Sequence, residues 1–198
     1  MAVQLILASA SPRRRELLQR LGVNFACAPA DIDETPRTGE LPRDYVQRMA
    51  LEKAQAVVEQ YAFPAFAVLA ADTTVMVDDE VLGKPRDRMH GLAILARLSG
   101  RTHTVLTAVC LSVEQGYCSE LIATEVDFVS LDRGTCEAYL ATKEPWDKAG
   151  AYAIQGLGGA FVRSIRGSYS NVVGLPLSET WQLLSGNGIA TALDGPVV

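Results

Sequence analysis

Apolar residues along this chain fall into short blocks separated by polar, proline-bearing or glycine-bearing breaks, and the spacing within each block predicts its element. Gln4 to Ser9 is a brief apolar run ending in small residues, the pattern of a buried strand. Ser11 then offers an N-cap and Pro12 suits the first helical position. Leu17, Leu18 and Leu21 share a face, and Gly22 closes the helix. A proline-bearing acidic segment over residues 28–42 predicts a loop, followed by a long helix from about Arg43 to Gln60. Phe66 to Ala71 is a second buried strand that stops at Asp72-Thr73-Thr74.

Farther along, Thr74 to Val77 and Glu80 to Gly83 flank Asp78-Asp79 as a hairpin, and the segment after Lys84-Pro85-Arg86-Asp87 forms a helix ending at Gly100. Residues 102–113 and 120–131 are rich in β-branched positions and predict an antiparallel half. Asp132 to Thr142 is a helix, and Ala149 to Pro176, with its recurrent glycines, predicts short strands and turns. Pro176 to Ser185 is the last helix, with a loose tail from Asn187. Strands alternating with helices around antiparallel pairs predict an α/β fold, a mixed twisted sheet flanked by helices within a single domain over residues 1–198. Binding sites in such folds lie beyond strand ends, where both Ser9-Ala10-Ser11 and Asp72-Thr73 fall.

Composition narrows the function. The 198 residues are 48% hydrophobic, ample for a sizeable core. The formal net charge is -5, which excludes the broad basic face that duplex nucleic acid needs and confines any polyanion to a local site. Four widely spaced cysteines with no C-x-x-C pair predict neither a disulfide framework nor a zinc site. The arginines follow the first apolar run, the reverse of an export signal, and no apolar run approaches the roughly 18 residues of a membrane span. A cytoplasmic protein without membrane association is expected.

Candidate chemistry begins at "SASPRRRELL". Arginines at a helix start oppose the macrodipole unless an anion lies there. With an anion, backbone amides of the first turn, the hydroxyls of Ser9 and Ser11, and the guanidiniums of Arg13 and Arg14 make a phosphate cradle; without one, this is a capped helix with solvated arginines. The spacing matches neither a Walker loop nor G-x-G-x-x-G.

Lys53 falls within the apolar stripe of Val46, Met49, Ala50 and Val57, so its ammonium either runs out to water or meets a buried anion or carboxylate. Asp72 after an apolar run is either a turn aspartate or a carboxylate placed to bind a divalent metal or take a proton from water. Glu34, in the acidic run Asp31-Ile32-Asp33-Glu34, is either a hard-cation ligand or solvated charge. Lys84, fixed by Pro85, suits a phosphate contact, and Gln155 carries an amide able to read a base edge or tie its own loop. His90 and His103 have no third partner at metal-site spacing, and no serine lies in G-x-S-x-G.

Taken together, "SASPRRRELL", "EKA" at Lys53, "AADTTV", "LGKPRD", "LSGRTHTVLTAV", "DKAGAYAIQG" and "SNVVGLPL" resemble the Maf family of nucleoside triphosphate pyrophosphatases along nearly the whole chain. The resemblance implies an inosine-triphosphatase-like α/β fold, two lobes with a cleft, and often a homodimer. It also implies hydrolysis between the α and β phosphates of a nucleotide with Mg²⁺ or Mn²⁺.

Carried over by motif, Asp72 is the proton acceptor. Ser9, Arg14, Lys53 and Lys84 belong with the polyphosphate, and Glu34 stands at the acidic position, where Asp33 is its rival. In the branch acting on dTTP and UTP, specificity is associated with the residues that stand here as Arg13, Thr73 and Gln155. The resemblance also carries two alternatives: a nucleotide-binding regulator of septation and cell division, and a 7-methyl-GTP pyrophosphatase.

Overall fold

A computed structural model describes residues 4–61 and 66–195. Seven strands form one mixed sheet: β1 (Gln4–Leu7), β2 (Phe25–Cys27), β3 (Phe66–Val77), β4 (Glu80–Leu82), β5 (Thr102–Val113), β6 (Gly116–Phe128) and β7 (Val162–Arg166). Their order is β2, β1, β3, β5, β6, β7, with β4 paired on β3. β1 runs parallel to both β2 and β3, whereas β3 with β4 and β6 with β7 are antiparallel. The helices are α1 (Pro12–Arg20), α2 (Pro42–Val58), α3 (Arg88–Leu98), α4 (Arg133–Leu140), α5 (Tyr169–Val173) and α6 (Leu177–Gly186). Among the described residues no helix is long and apolar enough to cross a membrane.

The chain divides into two compact units. The first comprises Met1–Asp72, Thr107–Ile122 and Gly174–Val198. Its core sets Leu5, Ile6 and Leu7 of β1 with Leu17 and Leu18 of α1 and Val46, Met49 and Val57 of α2, all buried. α1 starts as its sequence requires: Ser11 caps it through its side chain, Pro12 occupies the first turn, and Gly22 takes the left-handed φ of +69° just beyond it. The residues after Asn187, expected to hang loose, are docked as far as Asp194. Ala192 N donates to Leu21 O at 2.8 Å, and Asp194 accepts from Thr191 and Ser185. Burial of Ile189 and Thr191 holds this segment down. Residues 196–198 lie outside the described residues.

The second unit comprises Thr73–Leu106 and Ala123–Val173. Its core gathers Val75, Leu95, Leu98, Phe128 and Phe161 with the rings of Tyr139 and Tyr152. The Asp78-Asp79 hairpin forms as expected, both residues at positive φ and Arg101 gripping Asp78 with two guanidinium nitrogens. β6 begins at Gly116 and stops at Phe128 rather than running over 120–131, because Asp132 is already the N-cap of α4. The glycine-rich stretch folds chiefly into 3-10 turns, with only β7 as a strand and α5 as a helix. β2, three residues long, is too short to give a period and was not expected.

Candidate active site

Three parallel strands deliver the chemistry of the first unit to one end of the sheet. In register, Leu7 of β1 lies beside Cys27 of β2 and Leu69 of β3. β1 ends there, and its chain turns through Ala8 and Ser9 into α1, with Ala8 N donating to Leu69 O at 2.8 Å. β2 ends at the same level and releases the acidic loop. β3, however, runs on to Val77, so Asp72 lies within a strand and not at its end. It is nevertheless three residues past Leu69, beyond the end of neighbouring β1, the location at which open α/β sheets hold ligands.

Lys53 settles its own alternative. Its side chain, carried on the buried stripe of α2, places Nζ 2.7 Å from Asp72 Oδ1 and 2.6 Å from Glu34 Oε1. Lys53 and Asp72 are both buried. One ammonium thus bridges two carboxylates from distant parts of the sequence, and the trio carries net negative charge. A buried cation paired this way is retained in a low-dielectric setting that an unpaired one could not tolerate.

The acidic loop is held by α2. Tyr45 Oη donates to the Glu34 carbonyl at 3.0 Å, and Arg48 donates to the Thr35 carbonyl at 3.2 Å. Arg48 also grips Glu40 through two nitrogens at 2.5 and 2.6 Å, holding that carboxyl down to about 2. Burial, reinforced by Asp72 and Glu34, pushes the Tyr45 phenol up to about 12, so it remains a donor. Asp33 is turned to its own loop, where it accepts from Thr35 N at 2.9 Å. Of the acidic pair, therefore, Glu34 is the residue joined to Lys53 and Asp72. Tyr45 and Arg48 were missed in the sequence. Their spacing with Glu52 marks one face of α2, but nothing in the chain says that this face meets a loop.

Ser9, Ser11 and Arg14 belong to the same unit, at the turn from β1 into α1. Ser9 Oγ accepts from Ser11 N at 3.2 Å, and Ser11 Oγ accepts from Arg14 N at 3.4 Å. Arg14 Nε donates to Gly174 O at 2.8 Å, which joins the segment "SNVVGLPL" to the start of α1. Burial lowers the pKa of the Arg14 guanidinium; Asp72 and Glu34 act against this, and Arg13 acts with it. These influences bring Arg14 within the electrostatic reach of both carboxylates.

Thr73, Lys84 and Gln155 belong to the second unit. Thr73 is in β3, Lys84 is exposed just after β4, and Gln155 is exposed in the turn before Leu157. Gly150 N, in the 3-10 turn Ala149–Ala151, donates to Gly83 O beside Lys84 at 3.2 Å. Gly150 has φ of +72°, and a Cβ there would fall 2.8 Å from the Val75 side chain, so this junction admits only glycine without rearrangement.

Residues 4–187 match the family described as Maf-like protein. The chain belongs to the Maf family. The match covers both units. Among curated Maf-type relatives, the dTTP/UTP pyrophosphatase of Shewanella oneidensis is 53% identical over 94% of this chain and 100% of its own length. The dTTP/UTP pyrophosphatase of Myxococcus xanthus is 53% identical over 93% of each chain. That of Shigella dysenteriae serotype 1 is 52% identical over 91% of each.

Membership of the Maf family and relatives named as pyrophosphatases suggest a divalent cation, and the donor set here can be tested for one. Glu34 and Asp72 are carboxylates held against the same ammonium, which brings two hard oxygen donors together. Among the described residues no cluster of three or more His, Cys, Asp or Glu side chains forms a metal cage. One or two carboxylates completed by substrate phosphates and water is the mode typical of Mg²⁺, so the residues present fit.

Proposed function

We propose that this Maf protein hydrolyses dTTP and UTP to the monophosphate and pyrophosphate. The observation that carries the reading is the Lys53 bridge between Asp72 and Glu34, whose two carboxylates both act electrostatically on Arg14. The names of its relatives support the substrate class.

In this mechanism Asp72 accepts a proton from water as the water oxygen bonds to the α phosphorus. The bridging P–O bond breaks, and pyrophosphate leaves with the electron pair. Lys53 occupies one lone-pair direction of the Asp72 carboxylate and fixes its orientation, leaving further acceptor capacity for the water. Arg14, Lys84, Ser9 and Ser11 bind and neutralise the polyphosphate, and Lys53 offsets the charge that grows on the leaving group. Glu34 and Asp72 would hold Mg²⁺ or Mn²⁺, which when bound supplies Lewis-acid stabilisation of phosphate oxygens. Arg13, Thr73 and Gln155 carry pyrimidine preference.

The test is product analysis. Purified protein mixed with dTTP and Mg²⁺ should release dTMP and pyrophosphate, while phosphate release or binding without turnover would refute the reading. Nucleotide binding without product would instead favour a regulatory role, and faster turnover of 7-methyl-GTP than of dTTP would reassign the branch.

A further inference from the structure

The turn that carries Gln155 is closed by one backbone bond, from Gly156 N to Ala153 O at 3.2 Å, and leads into the 3-10 turn Leu157–Phe161; the amides of Ala153, Leu157 and Gly158 need partners from elsewhere. Glu144 supplies them. Its Oε2 accepts from Leu157 N at 2.9 Å, and its Oε1 accepts from Gly158 N at 2.9 Å and from the Tyr139 hydroxyl at 2.8 Å. The Tyr139 oxygen in turn accepts from Ala153 N at 3.1 Å. One carboxylate and one phenol therefore fix three amides, one before Gln155 and two after it.

The clamp itself is anchored. Glu144 N donates to Thr142 Oγ1 at 3.2 Å, Lys148 Nζ donates to the Glu144 carbonyl at 2.6 Å, and the Tyr139 ring packs edge-on against Phe161 with centroids 4.9 Å apart. The fit leaves no slack, since a Cβ on Gly158 would fall 2.7 Å from the Tyr139 oxygen and 2.9 Å from the Ala153 carbonyl. Burial pushes the Glu144 carboxyl up, but the Gly158 amide, the Tyr139 hydroxyl, the Leu157 amide and Lys148 outweigh it, so the group is held below its ordinary value as a carboxylate.

We propose that Glu144, acting with Tyr139, is a positioning residue for nucleotide specificity, setting the conformation in which Gln155 is presented. This rests on the assignment of Gln155 to base recognition. A charged group at the hub suits the task, because hydrogen bonds to a carboxylate are stronger than neutral ones and each partner here has a fixed direction. A purely structural clamp would lower stability and scale all substrates alike; a positioning clamp changes their ratio.

The experiment measures kcat and KM for dTTP and for dGTP in the wild type, Glu144→Gln, Tyr139→Phe, Gln155→Ala and the Glu144→Gln/Gln155→Ala double variant. In Glu144→Gln the amide nitrogen replaces one acceptor and meets an N–H with an N–H. The dTTP/dGTP ratio of kcat/KM is expected to fall by about tenfold, chiefly through a raised KM for dTTP. Tyr139→Phe, which removes a single oxygen, should move the ratio the same way by less and serves if Glu144→Gln does not fold. The double variant should have the ratio of Gln155→Ala alone, because Glu144 acts through that residue.

An unchanged ratio in Gln155→Ala would overturn the assignment of Gln155, and the proposal with it. A changed ratio in Gln155→Ala beside unchanged ratios in Glu144→Gln and Tyr139→Phe, or additive effects in the double variant, would overturn the positioning role alone.

Discussion

Lys53 Nζ and Asp72 Oδ1 lie 2.7 Å apart in the buried interior of the first unit, with Glu34 on the same ammonium. The two acidic partners are not equivalent in what their loss does. Asp72→Asn keeps the shape and an acceptor oxygen and leaves Lys53 paired with Glu34, so the fold should survive while turnover falls by about 10²–10⁴-fold, the loss of a general base. Lys53→Met leaves the buried Asp72 carboxylate without its cation, beside a Glu34 that is itself exposed, and should cost about 3–5 kcal/mol of unfolding free energy. Urea unfolding of both variants beside dTTP turnover checks the pair; near-normal hydrolysis by Asp72→Asn would remove its assigned role.

The acidic neighbours Asp33 and Glu34 should separate cleanly. Glu34 reaches Lys53, whereas Asp33 accepts from Thr35 within its own turn. Glu34→Gln is expected to raise the Mg²⁺ concentration for half-maximal activity by at least about tenfold, and Asp33→Asn to leave it close to wild type. EDTA should abolish turnover in all three proteins, with recovery on adding Mg²⁺. Equal Mg²⁺ dependence in the two variants contradicts the geometry.

Arg14 offers a test of fork against point charge. Its Nε is spent on Gly174 O, which orients the guanidinium, and a lysine cannot reproduce both functions. Arg14→Lys is expected to raise KM for dTTP by about tenfold with a smaller change in kcat. A fall in kcat alone would move Arg14 from binding to the chemical step.

Acid sensitivity should trace in part to His103, buried with Nε2 2.9 Å from the Tyr152 hydroxyl oxygen. Burial, partly offset by Asp127, pulls its pKa from 6.5 down to about 4. Between those values the unfolded chain binds a proton that the folded chain refuses. Stability is therefore fully present above about pH 6.5 and is lost as pH falls toward 4, by roughly 3 kcal/mol in all. His103→Gln should flatten the dependence of unfolding free energy on pH in that window by up to about 1.4 kcal/mol per pH unit. Parallel curves for the two proteins would show that His103 is not the group responsible.

Much of the fold was readable residue by residue. Ser11 and Pro12 announce α1, Asp78-Asp79 announces a hairpin, and the apolar stripe through Val46, Met49 and Val57 announces α2. Each depends on dihedral preference or periodicity within a few neighbours. Asp72 was legible as an acid at a break in an apolar run, but its strand continues, because β-branched Thr73, Thr74 and Val75 carry the extended backbone forward. The glycine-rich stretch misled for a related reason: its glycines serve close approaches among side chains such as Tyr139 and Val75, and these have no local signature.

Residue types and short-range spacing were enough to place most of the elements and the cast of charged groups, and the resemblance of the motifs pointed to the family. Which of those groups meet was beyond them: that Glu34 and not Asp33 joins Lys53, that Arg14 is steadied by Gly174, and that Glu144 shapes the turn of Gln155. Those pairings arise from strand register and helix docking across long stretches of chain. Where burial is deep, as at Lys53 and Asp72, it makes the partner obligatory, since an ion removed from water needs a counterpart.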